Sequence, residues 1–187
     1  MPRLESDVAL WWRVLRPGAK MVIRYSKVLL TAAMALFASL VAFGNITDYG
    51  SNFAFVHHVL LMDTVFPDTT IKYRAINSVA VQHVAYVLII AAELLVAILC
   101  WTGAWRLFRS RCASAREFNR RKGVAIAGLT LGFLVWQVGF MSFGGEWFGM
   151  WMSEQWNGVT NAFQFSITMC VVLVYVTMRD EDVDDSI

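Results

Sequence analysis

The stretch AINSVAVQHVAYVLIIAAELLVAILCWTGAW, residues 75–105, decides the fold of this chain. It lies between Arg74 and Arg106, and Glu93 is its only charged residue. A helix needs about 20 apolar residues to cross the ~30 Å hydrocarbon core of a membrane. Three further uncharged runs reach that length, at residues 28–47, 123–145 and 155–178. The chain is therefore predicted to be an integral membrane protein with four spanning helices.

The predicted fold class is an all-α, four-helix membrane bundle with short interfacial helices in its two extracytoplasmic loops. We expect the spanning helices at about residues 25–46, 79–103, 123–143 and 157–178, within a single domain of residues 22–178. Residues 1–21 are predicted to form a cytoplasmic N-terminal extension. Residues 179–187, RDEDVDDSI, are predicted to form a solvated acidic tail on the same side.

Composition agrees with a membrane protein. The chain is 58% hydrophobic and has a mean hydropathy of +0.54, whereas soluble domains are about 45–50% apolar. The net charge of +2 is too small to indicate nucleic-acid binding. The four runs leave no room for a soluble domain, and no repeat or linker is evident.

The N-terminal extension has two interpretations. The first uncharged run is too long for the apolar segment of a signal peptide, so we expect it to be retained as a helix. Met21 opens a segment that resembles a natural start, which leaves Met1 and Met21 both open as the first residue. Alternatively, the extension is a basic helix in the membrane interface. Its lipid-facing residues would be Trp11, Trp12 and Leu15, with Arg13, Arg16 and Lys20 at the headgroups.

The basic residues predict the orientation, because Lys and Arg accumulate on the cytoplasmic side of bacterial membranes. With four spans, fourteen of the sixteen basic residues lie on one side. Only Lys72 and Arg74 lie in the first outer loop, and the third loop has none. We predict a multi-pass protein of the bacterial inner membrane with both termini in the cytoplasm.

The third loop, GGEWFGMWMSEQWNG at residues 144–158, is rich in tryptophan. On a helix its aromatic residues share one broad face, which favours a short helix lying in the interface. The interpretations left open are an aromatic belt, a surface for a partner protein, or the mouth of a lipid or quinone pocket. The residues assigned to this partner surface are Glu146, Trp147, Trp151, Glu154, Trp156 and Asn157.

The first outer loop is also apolar for a loop. It is expected to hold a second helix that starts near Ser51 as its N-cap and ends before Pro67. Together the two outer segments, residues 51–68 and 144–158, would form a cap over the bundle.

Polar residues within the spans are functional candidates, because they are costly to bury in a membrane. Glu93 is the clearest of them. At ~1.5 Å per residue, it shares a depth with Thr130 and Thr168, and Gln137 and Gln164 lie in a second layer nearer the outside with Ser39 and Tyr86. We therefore predict a buried polar layer of Glu93, Thr130, Gln137, Gln164 and Thr168. Three roles for Glu93 stay open: a protonated carboxyl that holds helices together, proton or ion handling, and contact with a bound lipid, quinone or partner helix.

No metal, cofactor or catalytic residue is predicted. Adjacent His57 and His58 point about 100° apart on a helix, so they cannot readily share one ion. His83 alone lies in a span, where haem would need histidines on facing helices. No nucleophile–base pair or phosphate-binding loop is visible.

Small residues mark a helix contact. Gly128 and Gly132 form a GxxxG pattern in the third span, where small residues let helices approach closely. Both packing inside the bundle and dimer formation are consistent with it, and we favour internal packing.

Several motifs resemble one family. They are GNITDYGSNFAFVHHVLLMDTVFPD at residues 44–68, YRAI at 73–76, Glu93 and Cys100, FN at 118–119, GGEWFGMW at 144–151, WNG at 156–158 and AFQF at 162–165. They resemble the bacterial family of predicted small integral membrane proteins, domain of unknown function 2165, over roughly residues 22–178. The resemblance implies a compact four-helix inner-membrane protein and assigns no catalytic residue.

Two functions from different classes follow. The first is a non-enzymatic accessory or assembly subunit that uses the partner surface to bind a membrane protein, unless the partner is a second copy of the chain. The alternative is a small-molecule membrane protein, either a transporter or a quinone- or lipid-binding redox anchor. That site would be centred on Glu93, Gln137 and Gln164.

Overall fold

The computed structural model describes the backbone of residues 3–182 and the side chains of residues 20–182, and it contains no strand within that range. The α-helices are α1 (Arg3–Thr47), α2 (Tyr49–Leu61), α3 (Val79–Arg109), α4 (Ala115–Arg121), α5 (Gly123–Leu134) and α6 (Val159–Thr177). Lys72–Arg74 and Met150–Met152 form short 3-10 turns, and Val135–Trp147 continues α5 as a π-helix.

Four segments are long and apolar enough to cross a membrane: Lys20–Thr47, Val79–Arg109, Ala115–Trp147 and Val159–Thr177. This confirms the prediction of an all-α membrane bundle with four spanning helices. α1 runs without a break from the extension into the first span. The predicted placement of Trp11 and Trp12 toward lipid lies outside the described side chains.

The spans pack in a fixed order, with α1 against α3, α3 against α5, and α5 and its π-helix against α6. Small side chains make the approaches close. Ala35, Ala38 and Ala42 of α1 are fully buried. In α3, a Cβ on Gly103 would lie 2.5 Å from the Cα of Ala125 in α5. At these positions the helices approach closely enough for their backbones to come into contact.

The two glycines of the GxxxG pattern both lie inside the bundle. A Cβ on Gly128 would lie 2.8 Å from the Sγ of Cys100 in α3. A Cβ on Gly132 would lie 3.0 Å from the Sδ of Met169 in α6. These glycines face neighbouring helices of the same chain.

The third span is longer than expected, because it does not stop near residue 143. Its second half is a π-helix in which the N–H of Phe148 bonds to the carbonyl oxygen of Phe143, five residues earlier, at 2.9 Å. The hydroxyl of Ser142 donates to the carbonyl oxygen of Gln137 at 3.0 Å, over the same spacing. π-Helical turns are rare and are frequent at functional sites.

Both predictions about helices in the cap need correction. α2 begins at Tyr49 with Asp48 as its N-cap, not near Ser51, and no side chain caps it. Residues 144–158 do not form one interfacial helix. Gly149 takes a left-handed conformation, with a φ of 65°, and it ends the helical path after Trp147. Only the turn Met150–Met152 follows before α6.

The two segments of the cap nevertheless contact each other. The hydroxyl of Thr64 donates to the Oγ of Ser153 at 2.8 Å. The ring of Trp156 stacks on that of His58, with centroids 4.6 Å apart. The cap therefore covers one end of the bundle, which we call the loop end. Lys20 and Asp182 meet at the opposite, terminal end.

Candidate functional site

Beneath the cap, the bundle encloses a cavity of about 230 Å³ that opens at the loop end. α1, α2, α3, the π-helix and α6 all contribute to it, together with the loop before α6. Its polar lining residues are Asn45, Asn52, Tyr86, Glu93, Asn157 and Asn161, and its aromatic ones include Phe55, Trp136, Phe140 and Phe165. An apolar and aromatic lining with a few polar groups is typical of small-molecule sites.

Glu93 lines the cavity from α3 and is only 1% exposed. The side-chain nitrogen of Asn45, on α1, donates to its Oε2 at 2.7 Å. The hydroxyl of Tyr86, which lies seven residues before Glu93 on α3, donates to the backbone oxygen of Asn45 at 3.0 Å. Glu93 thus sits in a hydrogen-bonded group that ties α1 to α3. Among the described residues, none donates to its second oxygen, Oε1.

The aromatic walls are packed and well defined. Trp136 is 2% exposed and lies with its ring centroid 5.4 Å from that of Phe37 and 5.8 Å from that of Phe165. On the opposite side, Phe55 of α2 reaches over the cavity to Gly158. A Cβ at Gly158 would lie 2.9 Å from the Phe55 ring. This glycine is therefore needed where the loop passes the wall.

The predicted buried polar layer is wrong in two of its five members. Gln164 and Thr168 face outward from α6, and the hydroxyl of Thr168 donates to the backbone oxygen of Gln164 at 2.7 Å. Thr130 and Gln137 are half-buried but do not line the cavity. Because a helix in lipid is apolar on every side, depth could be counted from the sequence whereas the inward face could not.

The other polar residues of the lining include four asparagines near helix ends, of which Asn45 bonds to Glu93. Asn157 was predicted as part of the partner surface, whereas Asn45, Asn52 and Asn161 were not predicted as site residues. Their common signal is an amide within one or two turns of a predicted loop on the side of the cap. Such a residue can turn back into the bundle.

The three histidines are used in hydrogen bonds at the loop end. His57 Nδ1 lies 2.6 Å from the Oε1 of Gln82, and His83 Nδ1 lies 2.8 Å from the hydroxyl of Tyr49. His58 Nδ1 lies 2.7 Å from the Oδ2 of Asp63. Within residues 20–182, no three His, Cys, Asp or Glu side chains come together as a metal site would require.

The six residues assigned to the partner surface are not all exposed. Glu146, Trp147, Trp151, Glu154 and Asn157 are exposed, whereas Trp156 is half-buried on His58. The guanidinium of Arg74 lies 4.6 Å from the ring centroid of Trp147. Phe148 and Met150, between the exposed tryptophans, are buried in the cap. The surface therefore presents two tryptophans, Trp147 and Trp151, which are each 48% exposed.

A second polar cluster lies at the terminal end and was not predicted. Its members are Arg24, Lys27, Lys122 and Asp180, all less than a tenth exposed. Lys27 Nζ donates to the Oδ2 of Asp180 at 2.7 Å, and Lys122 Nζ donates to the same oxygen. Both lysines also donate to the backbone oxygen of Met178 at 2.7 Å. We call these four residues the terminal-end cluster.

Arg24 completes this cluster without a close ion pair. Its Nε lies 3.9 Å from the Oδ1 of Asp180, and one terminal nitrogen donates to the backbone oxygens of Arg111 and Ala113. Its guanidinium lies 4.6 Å from the ring centroid of Phe118. Three cations therefore surround one carboxylate, supported by carbonyl groups at helix ends, which carry partial negative charge.

Asp180 corrects the prediction of a solvated tail. Burial acts to raise its pKa, but the hydrogen bonds and charges of Lys122 and Lys27 outweigh burial and hold the pKa below its ordinary value of 3.8. Asn119 also fixes the backbone of Asp180 through two hydrogen bonds, at 2.7 and 3.0 Å. The predicted tail beyond residue 182 lies outside the described residues. The sequence did not reveal the cluster, because topology already explained its basic residues.

Comparison with known proteins gives one match. Residues 23–179 match the model of a family described as "Predicted small integral membrane protein (DUF2165)". No curated protein and no solved structure matches the chain. The matched residues include every lining residue of the cavity and both segments of the cap. They also include the two lysines and the arginine of the terminal-end cluster.

Proposed function

The chain belongs to the DUF2165 family of small integral membrane proteins, and from that premise we propose that it binds a small molecule in the cavity around Glu93. The observation that carries the proposal is a carboxyl group, 1% exposed, whose Oε1 has no donor among the described residues and which lines a cavity. The proposal assigns binding to the cavity and no catalytic step.

A purely structural carboxyl would be expected to spend both oxygens on neighbouring helices, because an unsatisfied buried acceptor is costly. Glu93 spends one, on Asn45. The ligand's polar part would meet Glu93 and the asparagines, and its apolar part would meet Trp136 and Phe165. A lipid or quinone headgroup has both parts.

The size of the cavity supports a compact ligand. A dry cavity of about 150 Å³ holds one benzene molecule, whereas drug-sized ligands occupy about 300–1,000 Å³. At about 230 Å³, the cavity fits one substituted ring or a small headgroup. A whole lipid does not fit, so its chains would remain outside among the helices.

Blocking the cavity is expected to remove the ligand. Asn161 is exposed on α6 and lines the opening, so Asn161→Trp should fill it. Thr160→Trp, at the neighbouring exposed position outside the lining, is the matched control. Each protein would be purified in mild detergent and its bound small molecules identified by mass spectrometry. We expect a stoichiometric molecule with the wild type and the control, and none with Asn161→Trp.

A second candidate function, the accessory subunit, is favoured by one observation. Trp147 and Trp151 stay half exposed on the cap, beside Phe66 and Tyr73, which are more than half exposed. Tryptophan is enriched both at membrane interfaces and in protein interfaces. If the same purification yields a stoichiometric membrane protein, or a homo-oligomer, and no small molecule, the accessory role replaces ligand binding.

The orientation is part of the proposal. We place the terminal end, with its many basic residues, in the cytoplasm and the cap outside, at the inner membrane. Cys112 is exposed at the terminal end and Glu154 is exposed in the cap. A membrane-impermeant maleimide added to intact cells is expected to label a Glu154→Cys, Cys112→Ser protein and to leave the wild type unlabelled. The reverse pattern would invert the orientation.

A further inference from the structure

We infer that the ligand of this cavity is a hydrogen-bond donor with a positive charge, an organic ammonium group attached to a compact apolar or aromatic body. This inference rests on the proposed function and narrows it to one ligand class. It comes from the way in which the polar residues of the cavity use their donors and acceptors.

Three of the four asparagines in the lining donate hydrogen bonds to the protein itself. The side-chain nitrogen of Asn45 donates to Glu93, as described above. That of Asn52 donates to the backbone oxygens of Asp48 at 3.0 Å and Gly44 at 3.3 Å. Asn157 donates to the oxygen of Trp151 and accepts from the N–H of Val159. Tyr86 spends its hydroxyl proton on the backbone of Asn45.

The acceptors are left over. Among the described residues, no donor reaches Glu93 Oε1, Asn45 Oδ1 or Asn52 Oδ1. Within the same range, the only fully buried side-chain polar atoms without a partner are two nitrogens of Arg24, at the other end of the bundle. The three oxygens are therefore not fully buried. Donors also remain in the lining: Asn161 keeps both amide N–H groups, Asn45 and Asn157 keep one each, and Nε1 of Trp136 donates to no described residue. The cavity therefore offers both donors and acceptors, and its charge decides between ligand classes.

The charge of the cavity favours a cationic ligand. No lysine, arginine or histidine is among its lining residues, and Glu93 is the sole ionisable carboxyl there. A cation that pairs with a buried carboxyl group stabilises its ionised form. An ammonium group supplies that cation together with up to three donors, which matches three free acceptor oxygens. The rings of Trp136 and Tyr86 add surfaces on which a cation is attracted.

Ligands of other classes fit less well. A carboxylate or phosphate would meet acceptors and a carboxyl group, so both charge and hydrogen bonding would oppose it. An oxidised quinone presents carbonyl oxygens, which accept hydrogen bonds but supply no counter-charge to Glu93. A neutral alcohol can donate one hydrogen bond but leaves Glu93 without a counter-charge. The ammonium class is the one that satisfies both requirements.

The test compares three probes of one shape. They are 2-phenylethylammonium, its neutral analogue 2-phenylethanol and the anion phenylacetate, titrated at neutral pH into the protein in lipid nanodiscs, with empty nanodiscs as the blank. We expect the ammonium to bind about 10- to 100-fold more tightly than the other two, the range of a hydrogen bond to a charged group. Glu93→Gln is expected to remove that preference, so that the ammonium and 2-phenylethanol bind with similar affinity.

A second variant guards against misfolding of Glu93→Gln. Asn161→Asp adds a carboxylate at the exposed opening, where a substitution is not expected to disturb folding. We expect it to strengthen ammonium binding and to weaken phenylacetate binding further. Equal binding of all three probes, blocked by Asn161→Trp, would overturn the ammonium class while leaving the cavity a binding site. Binding of none, with no copurified molecule, would overturn the proposed function itself.

Discussion

Asp180→Asn is expected to lower the free energy of unfolding by about 3 kcal/mol, at the low end of the range for breaking a buried ion pair. The substitution removes the only carboxylate that Lys27 and Lys122 contact in the terminal-end cluster. Their remaining bonds to the backbone of Met178 reduce the loss but do not neutralise the two charges. Thermal unfolding in mild detergent, followed by circular dichroism, measures the effect.

The matched control is Asp182→Asn. Asp182 also pairs with a lysine, Lys20, but its side chain is 51% exposed, and exposed pairs contribute little. The control should therefore unfold close to the wild type. Equal unfolding of both variants would mean that the terminal-end cluster does not depend on its carboxylate.

The same carboxylate predicts a pH dependence. Because the folded pKa of Asp180 lies below its ordinary value of 3.8, its contribution is present above that value. It is lost as the pH falls through the folded pKa. Asp180→Asn should abolish this part of the acid destabilisation.

Gly103→Ala is expected to destabilise the bundle by about 1–3 kcal/mol, the usual cost of overpacking a tight interior. The new methyl group would lie 2.5 Å from the Cα and 2.7 Å from the amide nitrogen of Ala125. These are backbone atoms, so no side-chain rotation can relieve the contact, and α3 and α5 must move apart. The measurement is thermal unfolding under the same conditions.

Gly44→Ala is the control for this substitution. Gly44 also lies in a spanning helix, but a Cβ there would meet no atom within 4 Å. Alanine favours helix formation over glycine, so the control should unfold at the wild-type temperature or slightly above it. A similar loss in both variants would show that general helix effects, and not the contact with Ala125, cause the destabilisation.

The sequence was sufficient to predict the spanning helices, but it did not predict which face of each helix points into the bundle. Long uncharged runs identify helices that cross a membrane, since burying charge in lipid is costly. For a helix surrounded by lipid, the outer face is as apolar as the inner one, so the period of 3.6 residues that marks the core of a soluble protein is weak. Glu93 was expected in the interior because a charged group is costly in lipid. Gln164 and Thr168 were placed there by depth alone, because the sequence does not show which face of α6 points inward.

The helix expected in the third loop and the terminal-end cluster differ from the predictions for different reasons. In the cap, a helical pattern of aromatics predicted one helix, but Gly149 and the buried Phe148 and Met150 break it into separate turns. At the terminal end, the lysines near helix ends predicted only the orientation of the protein in the membrane. Nothing in the chain indicated that Asp180, 153 residues after Lys27, would fold back onto it.

That separation has a consequence for biosynthesis. Ribosomes add about 5–20 residues per second, so roughly 8–30 seconds pass between the translation of Lys27 and that of Asp180. Throughout that interval Lys27 lacks the carboxylate that it contacts in the folded protein. The terminal-end cluster can therefore be completed only after all four spanning helices have been made.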